Sequence, residues 1–193
     1  EILLKNFSVP QDSISLIEKR VEVDELIRMS SDLDLIIPRG SNQLVQHIQK
    51  NSLVPVLGHA DGICHVYLDE LADEEKSLAV TIDSKLNYPS VCNALETLLV
   101  HQNFPDNWLI RILLKMQESG VELRVCEDTK NRLLNCSELK LKDAVSEDWE
   151  TEYTDLIISI KSVSSADVAV DHINHFGSKH TDTIITENKE LAE

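Results

Sequence analysis

The amino-acid sequence predicts an α/β fold with a largely parallel β-sheet, and two observations lead to this prediction. Short, β-prone apolar runs alternate with longer segments whose apolar residues recur at helical spacing. Glycines stand where two of the helical segments stop, at Gly120 and Gly177. Repeated strand–helix–strand units of this kind place successive strands parallel to one another in one sheet.

The predicted elements cover most of the chain. The predicted strands are residues 33–37, 54–68 (interrupted by Gly58 and Gly62, with the β-prone part at 63–68), 97–100, 121–125, 156–163 and 183–186. The predicted helices are residues 42–50, 70–86, 107–119 and 167–176. Ser41 is a plausible N-cap for the first of these helices, and the residues from Asn87 to Ser90 break the second.

Apolar residues at helical spacing also predict which helix faces are buried. The second predicted helix carries Leu71, Leu78 and Ile82 on one face, and the third carries a stripe of Leu109, Ile112, Leu113 and Met116. Residues 131–152 are polar and show no clear period. We therefore predict a variable, partly looped insertion there.

Length and composition indicate an ordinary globular protein. The 193 residues suffice for one large domain, and the chain is 42% hydrophobic and 27% charged. No apolar run reaches the length of a membrane span, and no signal-peptide pattern opens the sequence. Because the chain begins at Glu1 and ends in a polar, helical-looking run, we expect a piece of a longer protein.

Charge and metal-ligating residues exclude some classes of function. The net charge of −16 argues against a nucleic-acid partner, since phosphate binding needs clustered lysine and arginine. His172 and His175 lie three apart on one predicted helix and His180 follows it, but no carboxylate or thiol completes a ligand set. We expect solvated or capping roles for these histidines and no metal site.

The four cysteines show no C-x-x-C spacing and no small disulfide framework, which favours a reducing compartment. Cys64, Cys126 and Cys136 are interpreted as core or incidental thiols. Cys92 differs because it follows a predicted helix and precedes a predicted strand, so a loop could present it to a cleft. As a thiolate it would be a nucleophile, and the Asn93 amide could donate to an oxyanion. The alternative is a small, buried apolar residue.

Several ordered segments resemble the gamma-glutamyl phosphate reductases. Cys92, with Tyr88-Pro89 before it and Asn93 and Leu95-Glu96-Thr97-Leu98-Leu99 after it, is similar to the active-site signature of that family. Residues 33–43 are similar to a strand–turn–helix of the family's cofactor domain. Residues 55–67 resemble the bifunctional eukaryotic enzymes in which the reductase is fused to a glutamate kinase, and further matches lie at His180-Thr181-Asp182 and Thr186-Glu187-Asn188. The resemblance runs from about Leu33 to Glu193 and is weakest over residues 104–150.

The resemblance implies an aldehyde dehydrogenase-like fold. Residues 1–52 would be the C-terminal part of the NADPH-binding domain, and residues 53–193 a catalytic cysteine domain truncated at its C-terminal end. It also implies a mechanism in which the Cys92 thiolate attacks L-glutamyl 5-phosphate and expels phosphate. NADPH would reduce the resulting thioester to L-glutamate 5-semialdehyde for proline biosynthesis, and Cys92 and Asn93 would stabilise the oxyanion.

The cofactor prediction concerns Arg39, Gly40 and Ser41, which open a helix after a strand and could lie near a phosphate or ribose of NADPH. From the residues alone, a plain strand-to-helix turn with an N-cap serine and a surface salt bridge of Arg39 remain alternatives. The chain has no G-x-G-x-x-G motif, as this superfamily leads one to expect. The resemblance also implies a homo-oligomeric parent protein, possibly fused to a glutamate 5-kinase domain, in the cytoplasm or the mitochondrial matrix.

One absence in the sequence bears on the chemistry. Hydrolytic aldehyde dehydrogenases use a base, usually a glutamate, in the segment that corresponds to Val54–His65, and no glutamate occurs there. His59 and Asp61 are the remaining candidates, and we interpret both as structural or substrate-facing. The pattern favours reduction of the thioester over its hydrolysis. The alternatives are a hydrolytic aldehyde dehydrogenase and a non-catalytic fragment of the reductase.

Overall fold

The computed structural model describes residues 10, 13–58 and 62–193. The chain divides into two compact units, Glu1–Ala60 and Asp61–Glu193, and the predicted boundary after Ser52 lies inside the first.

The first unit contains two helices, α1 (Arg20–Leu26) and α2 (Asn42–Asn51). Ser41 is the N-cap of α2, as predicted, because its side chain accepts a hydrogen bond from the Leu44 N–H. Among the described residues of this unit, five are buried: Ile27 after α1, Pro38, Val45 and Ile48 on α2, and Val54 after α2. They form a small core.

The predicted strand at residues 33–37 is wrong. Within the described part of this unit, only a single parallel bridge joins Ile36 to Val56. Two hydrogen bonds flank it, from Ile36 N to Pro55 O and from Leu57 N to Ile36 O. Pro38 and Pro55 lack an N–H and cannot donate to a ladder, which limits the pairing to one bridge.

The second unit is built on a six-stranded sheet in which every pair is parallel. The strands are β1 (Cys64–Leu68), β2 (Leu95–His101), β3 (Glu122–Val125), β4 (Leu141–Asp143), β5 (Ile157–Val163) and β6 (Asp182–Ile185), in the order β4-β3-β5-β2-β1-β6. The helices are α3 (Glu74–Leu86), α4 (Asp106–Glu118), α5 (Glu127–Arg132), α6 (Ala166–Phe176) and α7 (Lys189–Ala192), with a 3-10 helix at Ser146–Glu150. The predicted α/β fold with a parallel sheet is confirmed.

The two faces of this sheet carry apolar clusters of different size. The first face packs its apolar residues, such as Leu98 and Ile160, against α3 and α4 in a large core. The second face contributes a smaller apolar cluster of Tyr67, Leu99 and Val163 with Ala169 of α6.

Among the described residues, no helix has the length and apolar character needed to cross a bilayer.

Helix α3 corrects the prediction at residues 70–86. It begins only at Glu74, because the Asp73 side chain caps it by accepting the Lys76 N–H at 2.9 Å, and Leu71 is 55% exposed before it. Leu78 and Ile82 are partly buried against the core, but the fully buried row of this helix is polar and comprises Ser77, Thr81 and Lys85.

Two further predictions need correction. Strand β2 runs from Leu95 to His101 and is longer than the predicted residues 97–100. Its additional residues include Glu96 and His101, which are polar but buried. Residues 131–152 are more ordered than predicted, since they include β4 at the sheet edge and the 3-10 helix. A three-residue edge strand is too short to display a period, so its pattern gave no signal. Strand β1 begins only at Cys64, so the described residues 54–58, 62 and 63 of the predicted strand 54–68 lie outside it, and only Val56 among them forms a bridge.

Candidate active site

Cys92 and Asn93 lie next to each other in the Cys92 loop, which we define as residues 87–94 between α3 and β2. Both side chains are exposed, which excludes the alternative that Cys92 is a buried apolar residue. The loop is turned by hydrogen bonds from Val91 N to Tyr88 O and from Ala94 N to Val91 O. The structure thus presents the thiol as predicted; its reactivity stays a prediction.

The Cys92 loop lies at the amino edge of the parallel sheet. In a parallel sheet the amino ends of all strands meet at the same edge, so the segments that lead into β1, β5 and β6 lie there too. They bring Cys64, Thr154 and His180 to this edge from distant parts of the sequence. The Cys92 loop therefore does not lie at the carboxyl edge, where ligands of open α/β sheets usually bind.

Gly62 lies directly against the Cys92 backbone. A Cβ added to Gly62 would overlap the Cys92 carbonyl oxygen and would lie 2.8 Å from the carbonyl carbon. It would also lie 2.6 Å from Oε1 of Glu152. The structure therefore brings a carboxylate from the segment after the 3-10 helix close to the Cys92 loop. The sequence does not predict Glu152 at this position, because the family resemblance places a base within residues 54–65, where no glutamate occurs.

Cys64 is more than an incidental core thiol. It is buried, and its Sγ donates a hydrogen bond to the Cys92 carbonyl at 3.2 Å, with His180 Nδ1 4.0 Å away. Burial raises the pKa of this thiol to about 11, so that it stays protonated at neutral pH. Its contact with Cys92 had no signal in the sequence, because 28 residues separate the two.

A network on the second face of the sheet holds the segment that carries Glu152. The Arg124 guanidinium donates to Asp148 Oδ1 at 2.6 Å, and the Tyr153 hydroxyl donates to the same oxygen at 2.8 Å. Burial would raise the pKa of Asp148, but hydrogen bonds from the Val145 N–H, Arg124 and Tyr153 lower it below the ordinary value. Asp148 thus stays ionised and fixes Tyr153 next to Glu152.

The predicted solvated or capping role is wrong for His172 of α6. His172 is not solvated; it is buried against Phe176 and Trp149, and Lys161 Nζ lies 3.2 Å from its Nδ1. Burial, with Lys161 nearby, lowers the pKa of His172 to about 3, so the ring stays neutral. Within the part of the chain that the structure describes, no group of three or more metal-ligating side chains occurs.

The predicted cofactor residues lie together in the first unit. Arg39, Gly40 and Ser41 are exposed and lead into α2, whose first turn carries no acidic side chain. Arg39 makes no ion pair with another described residue. An exposed helix amino terminus with a neighbouring arginine fits a phosphate group. His59 and Asp61, the other candidates named from the sequence, lie outside the described residues.

Comparisons with known proteins identify the family. Gamma-glutamyl phosphate reductase 1 of Synechocystis sp. is 50% identical over 185 residues, which cover 96% of this chain and 41% of that protein. The crystal structure of gamma-glutamyl phosphate reductase from Thermotoga maritima matches 98% of this chain and 45% of that one, with a TM-score of 0.91 and 39% identity. The chain belongs to the gamma-glutamyl phosphate reductase family. No family model matches it.

The family's wider fold is shared by distant structures. An acetylating aldehyde dehydrogenase from Geobacillus thermoglucosidasius and a glyceraldehyde-3-phosphate dehydrogenase from Methanocaldococcus jannaschii, complexed with NADP, both match with a TM-score of 0.68. They are 18% and 17% identical to this chain, cover 97% and 98% of it, and match through 49% of their own lengths. The predicted aldehyde dehydrogenase-like fold is confirmed. The chain spans about two fifths of the length of the curated reductases.

Proposed function

We propose that this chain carries the thiol site of an enzyme that reduces L-glutamyl 5-phosphate to L-glutamate 5-semialdehyde in proline biosynthesis. The observation that carries the proposal is the exposed Cys92, held in a loop between α3 and β2, in a chain of the gamma-glutamyl phosphate reductase family. Residues 61–193 would be the catalytic cysteine domain, and the first unit the C-terminal part of an NADPH-binding domain.

The chemistry at Cys92 would begin with nucleophilic attack. The thiolate sulfur forms a bond to the acyl carbon of the substrate, and the bond from that carbon to the phosphate oxygen breaks with its electron pair on the departing phosphate. The product is a thioester on Cys92. The Asn93 side chain, exposed beside Cys92, would donate its N–H to the oxyanion that forms in between.

The cofactor of this proposal is NADPH. Arg39, Gly40 and Ser41 would hold one of its phosphates or a ribose, with the arginine supplying charge and the amino terminus of α2 supplying N–H groups. When bound, the nicotinamide supplies the hydride that reduces the thioester. The complex of the distant glyceraldehyde-3-phosphate dehydrogenase with NADP supports a nicotinamide cofactor in this fold.

A second candidate function is hydrolytic oxidation of an aldehyde. Glu152, whose Oε1 approaches the Cys92 loop at Gly62, is the observation that favours it, because a carboxylate can activate water. The absence of a glutamate from residues 54–65 favours the reductase instead. A homo-oligomeric parent protein and fusion to a glutamate 5-kinase stay predictions of the family resemblance.

The experiment that tests the proposal is an assay of the complete protein that contains this chain. Glutamate semialdehyde and NADP are supplied with phosphate, and NADPH formation is followed by absorbance in the reverse direction of the proposed reaction. We expect turnover that depends on phosphate and is lost in Cys92→Ala. Turnover by Cys92→Ala at the rate of the unaltered protein would contradict the proposal.

A further inference from the structure

A buried ion pair lies at the base of the Cys92 loop. Lys85 occupies the last turn of α3, just before the loop, and Glu96 is the second residue of β2, just after it. Lys85 Nζ lies 2.9 Å from Glu96 Oε2, and the side chains are 0% and 1% exposed. The pair therefore joins the two elements between which Cys92 is held.

Glu96 also binds the segment that carries Thr154, which lies near the Cys92 loop. Its Oε1 accepts a hydrogen bond from the Thr154 N–H at 3.2 Å. Thr154 has a φ of 52°, a conformation that few residues other than glycine adopt. Two residues earlier, Glu152 Oε1 approaches the Cys92 carbonyl at Gly62. One carboxylate thus connects the end of α3 with the segment beside the Cys92 loop.

Stability alone does not account for this pair. Removing two charges from water costs about as much free energy as their attraction returns, and apolar replacements of buried pairs are often neutral or stabilising. Lys85 nevertheless occupies the fully buried row of α3, after Ser77 and Thr81, and Glu96 is buried in β2. What Glu96 provides that an apolar residue would not is directed bonding to two defined partners, Lys85 and the Thr154 N–H.

We propose that Lys85 and Glu96 are positioning residues, which hold the Cys92 loop and the segment at Thr154 in the arrangement that the thiol reaction requires. This inference rests on the proposed function of Cys92. Neither residue touches the reacting atoms in it; each acts through the backbone of the loop or of the neighbouring segment.

The test compares two double variants in the complete protein that contains this chain. Lys85→Met/Glu96→Leu removes both charges and also the acceptor of the Thr154 N–H. Lys85→Met/Glu96→Gln removes both charges but keeps a side-chain oxygen that can accept that bond. Lys76→Met, on the same helix with a side chain that is 64% exposed, is the matched control.

We expect kcat of Lys85→Met/Glu96→Leu to fall by about 10- to 100-fold, because a small displacement of a reacting group is enough for such a loss. KM should change by less than about 3-fold, and the melting temperature should be equal to or above that of the unaltered protein. Lys85→Met/Glu96→Gln should recover part of kcat, and Lys76→Met should retain all of it. Equal kcat in all four proteins would overturn the proposal.

Two further readouts do not depend on catalysis. The rate of Cys92 alkylation by iodoacetamide, measured by mass spectrometry, should change several-fold in Lys85→Met/Glu96→Leu, and hydrogen exchange of residues 87–94 should become faster. If the unaltered protein has no reductase activity, the proposed function fails while these readouts still test the positioning role. Alkylation and exchange like those of the unaltered protein would show that the pair does not hold the loop.

Discussion

The thiol of Cys64 donates a hydrogen bond to the backbone carbonyl of Cys92, with 3.2 Å between the sulfur and the oxygen. Because burial raises the pKa of Cys64 to about 11, the proton remains on its sulfur at neutral pH and is available for this bond. The two cysteines therefore differ in their surroundings: Cys92 is exposed, and Cys64 is buried and holds the backbone of Cys92.

The first prediction separates the cysteines by their effect on activity. Cys92→Ala should abolish phosphate-dependent oxidation of glutamate semialdehyde by the complete protein, whereas Cys126→Ala and Cys136→Ala should leave most of it. Cys64→Ala removes one hydrogen bond, worth about 1 kcal/mol, and should lower the rate by a few fold. Initial rates of NADPH formation distinguish these outcomes. Normal turnover by the Cys92 variant would contradict the assignment of Cys92 as the nucleophile.

A second prediction uses Gly62. Gly62→Ala should lower activity by about 10-fold or more, because the new Cβ overlaps the Cys92 carbonyl oxygen and must displace the loop. Gly120→Ala is the control, since its φ of +89° makes alanine strained by about 1–2 kcal/mol while its Cβ would meet only Leu156 Cδ1 at 3.9 Å. The control should melt at a lower temperature and keep its kcat. Equal activity of both variants would show that the contact at Gly62 has no part in catalysis.

The third prediction concerns what accepts the acyl group. Because no glutamate occurs in residues 54–65, the acyl group on Cys92 should pass to phosphate much faster than to water. Oxidation of the semialdehyde is measured with and without phosphate, and the same assay on Glu152→Gln shows whether this nearby carboxylate assists water. Vigorous production of free glutamate without phosphate, lost in Glu152→Gln, would favour the hydrolytic dehydrogenase.

The fourth prediction is that the two single variants of the buried pair depend on pH with opposite signs. In Lys85→Met, Glu96 remains buried without its cation, and burial already raises its pKa to about 7 from an ordinary value of 4.5. The folded state then holds a proton that the unfolded state has lost. The free energy of unfolding should therefore fall as pH rises from about 4.5 to 7, by up to about 1.4 kcal/mol per pH unit.

In Glu96→Gln the sign reverses. Burial lowers the pKa of Lys85 even with Glu96 and Asp155 nearby, so the unfolded state holds the proton that the folded state lacks. The free energy of unfolding should rise with pH between the lowered pKa and 10.5. Urea unfolding of this chain at several pH values measures both slopes. Relative to the unaltered chain, Lys85→Met should lose stability as pH rises above about 7, because loss of Lys85 raises the pKa of Glu96 further. Glu96→Gln should gain stability as pH rises toward the lowered pKa that Lys85 has in the unaltered chain, because loss of Glu96 lowers that pKa further. Slopes of the same sign would mean that the two groups are not a buried, isolated pair.

The fifth prediction is that this chain, expressed alone, folds at least partly but does not turn over. The second unit has a large apolar core to support folding. The first unit contributes α1, α2 and a single β-bridge among its described residues, which is little on which to bind a dinucleotide. NADPH binding measured by fluorescence and turnover measured beside the complete protein test this. Micromolar binding with near-parental turnover would show that the site is complete within these residues.

The sequence alone determined the elements whose signals are local. The stripe of Leu109, Ile112, Leu113 and Met116 is buried in α4 as its spacing predicts, and Gly120 ends that helix with a φ of +89°. Cys92 follows from the same kind of signal, since a helix before it and a strand after it place it in an exposed loop. Such features depend on residues within a few positions of one another, so the local sequence pattern is enough to predict them.

The tertiary structure alone decided which side chains surround Cys92. Nothing in the sequence marks Lys85 and Glu96 as buried, and only their meeting across the Cys92 loop allows both to be buried within α3 and β2. Gly62, Cys64 and Glu152 lie near Cys92 because the amino ends of parallel strands converge at one edge of the sheet. Strand order and register fix those contacts, and both depend on the free energy of the whole packed sheet rather than on any local run of residues.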